Sequence, residues 1–244
     1  MSTTSTSVRL IEEDPELAER LSPDRRDAAA RQLVTTAFTL GPGKWTAPTS
    51  LGDDGDLGLI VFDGVLVRSV GRAGRLGAEL LGRGDLLRPW QEGEAAMLDF
   101  ESTWSVVEPS RLGVLDSGFT QRLAAFPELV EVLLARTVQR TRTLAATMAI
   151  AQEPTVEARL ELMLWQLADR FGKVRPNGVI VPLPLTHSVL ARLVAARRPS
   201  TTTALGRLAQ RGVTERRPDG WLLTGGPPGG RSVRPPVLAS RNGS

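Results

Sequence analysis

Residues 185–213, "LTHSVLARLVAARRPSTTTALGRLAQRGV", read as two helices parted by a short break. Thr186 is placed to cap the first, and Val189, Leu190, Leu193 and Val194 give it one apolar face. Ala195, Ala196 and Arg197 form the turn. In the second helix Ala204, Leu205 and Leu208 face inward, which leaves Arg198, Ser200, Thr202 and Thr203 on the other side of the first two turns. That helix is locally weak. Thr201, Thr202 and Thr203 follow in a row, and Gly206 interrupts the interior. Each threonine lies roughly 0.5 kcal/mol below alanine in helix propensity and glycine about 1, and a short helix is marginal alone.

A polyanion partner explains the choice. A recognition helix puts its N-terminal residues against base edges in the major groove. An arginine there can bond guanine bidentately, hydroxyls serve bases or phosphates, and a threonine methyl packs on thymine. Free N–H groups at the helix start attract phosphate. The candidate DNA-contacting residues are therefore Thr186, His187, Arg197, Arg198, Pro199, Ser200, Thr202, Thr203 and Arg207. Arg192 and Arg211 are further phosphate candidates, each with a solvated surface arginine as the alternative. An ordinary capped helix start would need one hydroxyl, whereas "RRPSTTTA" has four.

The flanks extend this reading. Downstream, "VTERRPDGWLL" is a strand, a Pro-Asp-Gly turn and a strand, with Arg216 and Arg217 just before the tip. Upstream, "TVEARLELMLWQLADRFG" carries Leu160, Met163, Leu164, Leu167 and Phe171 on one face, with Gly172 as its C-cap. "NGVIVPLPL" is a turn and a short strand, which its prolines would confine to a sheet edge. Helix, strand, helix, tight break, helix and hairpin is the order of a winged helix-turn-helix.

The front half differs. Residues 151–244 hold 14 Arg and Lys against 6 Asp and Glu, while the rest of the chain holds 16 against 21. An acidic front and a basic back suggest two domains, the basic one facing nucleic acid. Residues 14–38 look helical, with Asp14 as N-cap, Pro15 at the first position and a second short helix over Arg25–Thr36. Between 38 and 117, short apolar runs punctuated by glycine predict an antiparallel barrel or sandwich. Asp63-Gly64, inside "LGLIVFDGVLVRSV", is a hairpin signal. Pro127 opens a long helix in which Val130, Leu134, Thr137, Thr141, Leu144 and Met148 step by four and three. That heptad seam is a candidate dimer interface, and packing on the chain's own barrel is the alternative.

Composition narrows the function classes. The 244 residues contain no cysteine, which excludes disulfides, thiolate catalysis and cysteine-ligated metals, and fits a reducing, cytoplasmic setting. His187 is the single histidine, so a multi-histidine metal site is not expected. No phosphate-binding glycine loop of the usual spacing accompanies it, and no enzyme is predicted. There is no run of 18 apolar residues for a membrane span. "MSTTSTSVRL" lacks the apolar region of a secretory signal and reads as a frayed polar tail; residues 227–244 read as a disordered one.

"LPLTHSVLARLVAARRPSTTTALGRLAQRGVTERRPDGWLL" resembles the helix-turn-helix and wing of the Crp/Fnr family of transcription regulators, and the resemblance extends over residues 14–224. "DGVLVRSV…ELLGRGDLL" looks like that family's cyclic-nucleotide-type sensor, and "LELMLWQLADRFG" like the first helix of its DNA-binding domain. The resemblance implies an α+β chain. A jelly-roll-like β-barrel sensor would span 1–126, a dimerisation helix 127–152, and a winged helix-turn-helix 153–226. Its implied partners are double-stranded DNA, a second copy of the chain and RNA polymerase. Several positions depart from the family. Thr203 stands where relatives commonly carry a guanine-reading arginine, Pro199 where many carry glutamate, and Ala195 at the usual turn glycine. In the sensor, Gly84-Asp85 is followed by none of the Arg-Ser or Arg-Thr pairs that hold a cyclic nucleotide. Cysteines for an iron–sulfur cluster and a sensor histidine for haem are missing as well. No cofactor is expected, the effector is unknown, and Arg88 is a candidate anion ligand with a plain surface arginine as the alternative. A winged-helix module docking an acidic protein through the same basic face is the competing function.

Overall fold

The computed structural model describes residues 5–47, 55–90 and 98–229. Residues 91–97 of the sensor segment and most of the expected C-terminal tail, 230–244, lie outside the described residues. The chain divides into two compact units, Met1–Ala146 and Thr147–Ser244, with the boundary inside one long helix.

The first unit begins in a way the sequence reading did not anticipate. Ser5–Arg9 is not frayed but a strand, β1, paired antiparallel with β2, Val34–Leu40. Between them lie α1 (Leu10–Glu13), a 3-10 turn (Pro15–Ala18) and α2 (Pro23–Gln32). The predicted helix to Thr36 stops early. Val34, Thr35 and Thr36 pair with Arg9, Val8 and Ser7, where β-branched side chains fit best. Asp14 does not cap through its side chain, because it is buried and engaged elsewhere.

Among the described residues seven strands form one antiparallel sheet, ordered β1, β2, β7 (Glu101–Leu115), β4 (Gly58–Arg72), β5 (Arg75–Leu81), with β3 (Gly43–Trp45) on β7 and β6 (Leu86–Leu87) on β4. Two strands dominate: β4, Gly58–Arg72, and β7, Glu101–Leu115. Asp63-Gly64 is therefore not a hairpin turn but a bulge inside β4, where the register slips between Val61 and Leu66. Gly64 has φ of 86°, and a Cβ there would collide with the Pro109 carbonyl of β7. A bulge and a primed turn demand the same left-handed glycine, so the dipeptide alone does not say which forms. The reversal comes at Ala73-Gly74, both at positive φ (51° and 73°), which joins β4 to β5, Arg75–Leu81.

The apolar run at the start of β4 is buried on both faces. Ile60 and Phe62 pack with Leu10, Leu17, Phe119 and Phe126 on the helical side. Leu59 and Val61 pack with Phe38, Leu81, Trp104 and Leu112 on the other. Alternate residues thus enter two cores, which is why the run does not alternate with polar residues. Helix α3, Ser117–Leu123, is capped by Asp116, and α4, Pro127–Ile150, follows with Pro127 at its start as expected.

In the second unit α5, Val156–Phe171, is capped by Thr155. Gly172 ends it in an extended conformation, where a Cβ would strike the Ala168 carbonyl. Two strands follow, β8 (Lys173–Arg175) and β9 (Gly178–Val181). The sheet order β10 (Thr214–Arg217), β11 (Gly220–Leu223), β9, β8 makes β9 an inner strand, not an edge. The prolines that suggested an edge, Pro182 and Pro184, come after the strand has ended. Helices α6 (His187–Leu193) and α7 (Arg198–Gln210) precede β10 (Thr214–Arg217) and β11 (Gly220–Leu223), whose hairpin turns at Pro218-Asp219 as read. Among the described residues no helix is long and apolar enough to cross a membrane.

Candidate nucleic-acid interface

Thr186 caps α6 by accepting from the Val189 amide at 3.3 Å. Val194 to Arg197 turn the chain, and Ala195 takes φ of 50°, the left-handed conformation in which glycine is at ease. Ala204, Leu205 and Leu208 are buried and fasten α7 to its unit, as read from the sequence. Arg197, Arg198, Pro199, Ser200, Thr202 and Thr203 are all exposed on the first two turns.

Their hydrogen bonds separate them. His187 Nδ1 lies 2.9 Å from Thr202 Oγ1, which ties the start of α6 to α7. Thr203 Oγ1 donates to the Pro199 carbonyl at 3.2 Å, on a residue that remains exposed. Arg197, Arg198 and Ser200 make no side-chain hydrogen bond or ion pair among the described residues. Their donors are available to a ligand. No signal in the sequence announced the His187–Thr202 contact.

The other arginines are more committed. Arg207 pairs with Glu157 of α5 at 2.7 Å, and Arg211 approaches Glu161 at 3.8 Å. The Arg207 hydrogen bond holds the Glu157 carboxyl below its usual range. Arg216 Nη1 donates to the Gly220 carbonyl at 3.0 Å, and its guanidinium stacks over Trp221 at 5.0 Å. Arg217 pairs with Glu215 at 2.7 Å. The wing arginines stay exposed at the hairpin tip, but their orientation is set within the hairpin.

Thr201 belongs to the core rather than to this surface. It is fully buried, and its hydroxyl finds no partner among the described residues. An unpaired buried hydroxyl costs free energy that an isosteric methyl does not. Thr201→Val is expected to stabilise the protein by about 1 kcal/mol in thermal unfolding and leave DNA affinity unchanged. A drop in affinity would return Thr201 to the interface.

On α4 the predicted seam is open. Val130, Leu134, Thr137, Thr141 and Met148 are exposed and Leu144 half-buried; Val138, absent from the prediction, is exposed beside them. Leu129 and Leu133 of this helix are buried in the first unit's core, and Val132 packs against it. The Thr137 and Thr141 hydroxyls donate to the carbonyls four residues back, at 3.0 and 3.1 Å. Arg88 is exposed and donates to the Asp56 carbonyl at 2.7 Å.

Residues 158–224 match the Crp-like helix-turn-helix domain family. A CRP-like cAMP-activated global transcriptional regulator of Mycobacterium tuberculosis is 28% identical over 203 residues, spanning 79% of this chain and 84% of that protein. The fold is shared with a cyclic nucleotide-binding domain containing protein from Listeria monocytogenes: TM-score 0.63 at 16% identity, over 85% of this chain and 94% of that one. It is shared too with a CooA mutant from Carboxydothermus hydrogenoformans, TM-score 0.60 at 16% identity, over 91% and 93%. Residues 158–224 are thus a Crp-like helix-turn-helix domain, in a chain related to CRP-like transcription regulators and sharing the fold of the Crp/Fnr family.

Proposed function

We propose that the chain is a homodimeric, sequence-specific DNA-binding regulator of the Crp/Fnr type. One observation carries this: the first two turns of α7 present Arg197, Arg198 and Ser200, unengaged, beside Thr202 and Thr203. Such a helix end fits the major groove, with Arg198 as the guanine-reading fork. Arg216 and Arg217, at the end of β10 next to the wing turn, would meet the phosphate backbone. Two such helices on a dimer would address half-sites of a near-palindrome about 34 Å apart.

The M. tuberculosis relative is named cAMP-activated; we infer that this chain does not hold a cyclic nucleotide in the usual way. Asp85, in the loop where relatives carry an acidic residue for the ligand, is buried and accepts from the Gly82 amide at 2.8 Å. The Arg-Ser or Arg-Thr pair is missing from the sequence. RNA polymerase remains the expected further partner of the promoter-bound dimer.

Selection of bound DNA from a random pool tests the main reading. A two-half-site consensus is the expected outcome, with affinity falling steeply as salt rises. Arg198→Ala should then weaken each half-site on the order of 10-fold, through a loss of about 1–3 kcal/mol, and relax the preference at one base pair. Binding without any sequence preference would sink the proposal.

A further inference from the structure

Gly206 sits inside α7, four residues before its end, so it is not a cap. Its backbone is helical rather than left-handed, so no special φ requires glycine. A Cβ built there meets nothing within 4 Å, so no packing among the described residues requires it either. Yet glycine is among the worst residues for a helix interior, in a helix already weakened by threonines. Among the described residues nothing accounts for it, which leaves a contact from outside the chain.

Helical geometry says where. At 3.6 residues per turn, Gly206 follows Pro199 and Thr203 at i+7 and i+3. All three are exposed, while Thr201, Ala204, Leu205 and Leu208 on the opposite side are buried. Gly206 therefore lies on the outward line of the helix, one turn beyond the hydroxyls of the proposed interface.

We propose that Gly206 is a close-approach position for DNA, where the missing side chain lets the groove wall rest against the backbone of the third turn. The inference rests on the DNA-binding reading above and deepens it. The helix would lie along the major groove for three turns instead of meeting it by its first two. Gly206 would then be a positioning residue, setting how deep Arg198 and Thr203 reach.

Wild type, G206A and G206L are compared by thermal unfolding and by titration of the DNA selected by the wild type. G206A should melt about 3–6 °C higher, because its propensity gain is opposed by no clash. It should nevertheless bind DNA on the order of 10-fold more weakly, since one added methyl overfills a close contact. G206L should bind more weakly again while remaining folded. Equal or tighter binding by both variants overturns the inference and leaves the DNA reading standing. A wild type that selects no sequence overturns both, and that result is seen before any variant is titrated.

Discussion

Replacing Leu134 and Met148 together by glutamate is expected to give a folded monomer that binds its full DNA site about 100-fold to 10,000-fold more weakly. The two side chains are 62% and 71% exposed, among the most open large apolar groups of the described chain. They stand 14 residues apart, two heptads along α4, and so share one face. Neither touches the cores, so folding stability should change by only about 0.5 kcal/mol or less. A two-fold dimer uses the same patch twice. The double variant would then set four carboxylates in a seam meant for apolar contact, each lost side chain worth about 1.5–3 kcal/mol of burial. DNA binding falls because a second half-site held by the same dimer is reached at millimolar effective concentration, and a monomer forfeits that advantage. Sedimentation gives the oligomeric state, and titration on one-half-site and two-half-site DNA gives the affinities. The loss should appear on the two-half-site DNA. A variant that remains dimeric would remove this seam from the interface.

The second unit was more legible than the first, for reasons visible in single residues. Thr186, the inward Ala204-Leu205-Leu208 and the Pro218-Asp219 turn are local signals, and each does what its sequence pattern says. Thr201 escaped, because in a row of three like residues only helical phase tells the inward one from its neighbours. In the first unit the decisive facts are long-range. Asp63-Gly64 forms a bulge against Pro109 of β7, a neighbour far along the chain. Ser5–Arg9 is a strand paired with β2, a partner some thirty residues on that the tail's composition does not announce. The partners of the arginines were unreadable for the same cause: Arg207 meets Glu157 at a separation of 50 residues, and nothing in the periodicity pairs them.

The largest stability effect is expected where the sequence suggested only a cap. Asp14 is fully buried, and Arg136 of α4 grips it through both Nη groups, the Nη2 contact being 3.2 Å. Arg136 also reaches Glu16 at 3.2 Å. Burial lowers the Arg136 pKa, but the hydrogen bond and charge of Asp14, with Glu16 and Asp85, more than offset it, so the guanidinium stays charged. One turn on, Arg140 holds Glu79 at 2.6 Å and the Leu86 carbonyl at 2.7 Å. Together with Leu129 and Leu133, these arginines fix the first half of α4 on the first unit. Arg136→Met keeps the bulk and removes the charge, which leaves the buried carboxylate with only Arg83, 4.0 Å away, as a cation partner among the described residues. The expected cost is about 3–5 kcal/mol, read as a fall in melting temperature of roughly 10–20 °C. Adding Asp14→Leu to the same chain should restore most of it, because replacing both partners by apolar groups is often nearly neutral. The pair would then matter through its matching, not its charge. A double variant as unstable as the sum of its single variants would instead place the stabilisation in the separate contacts of Asp14 and Arg136 with their other neighbours.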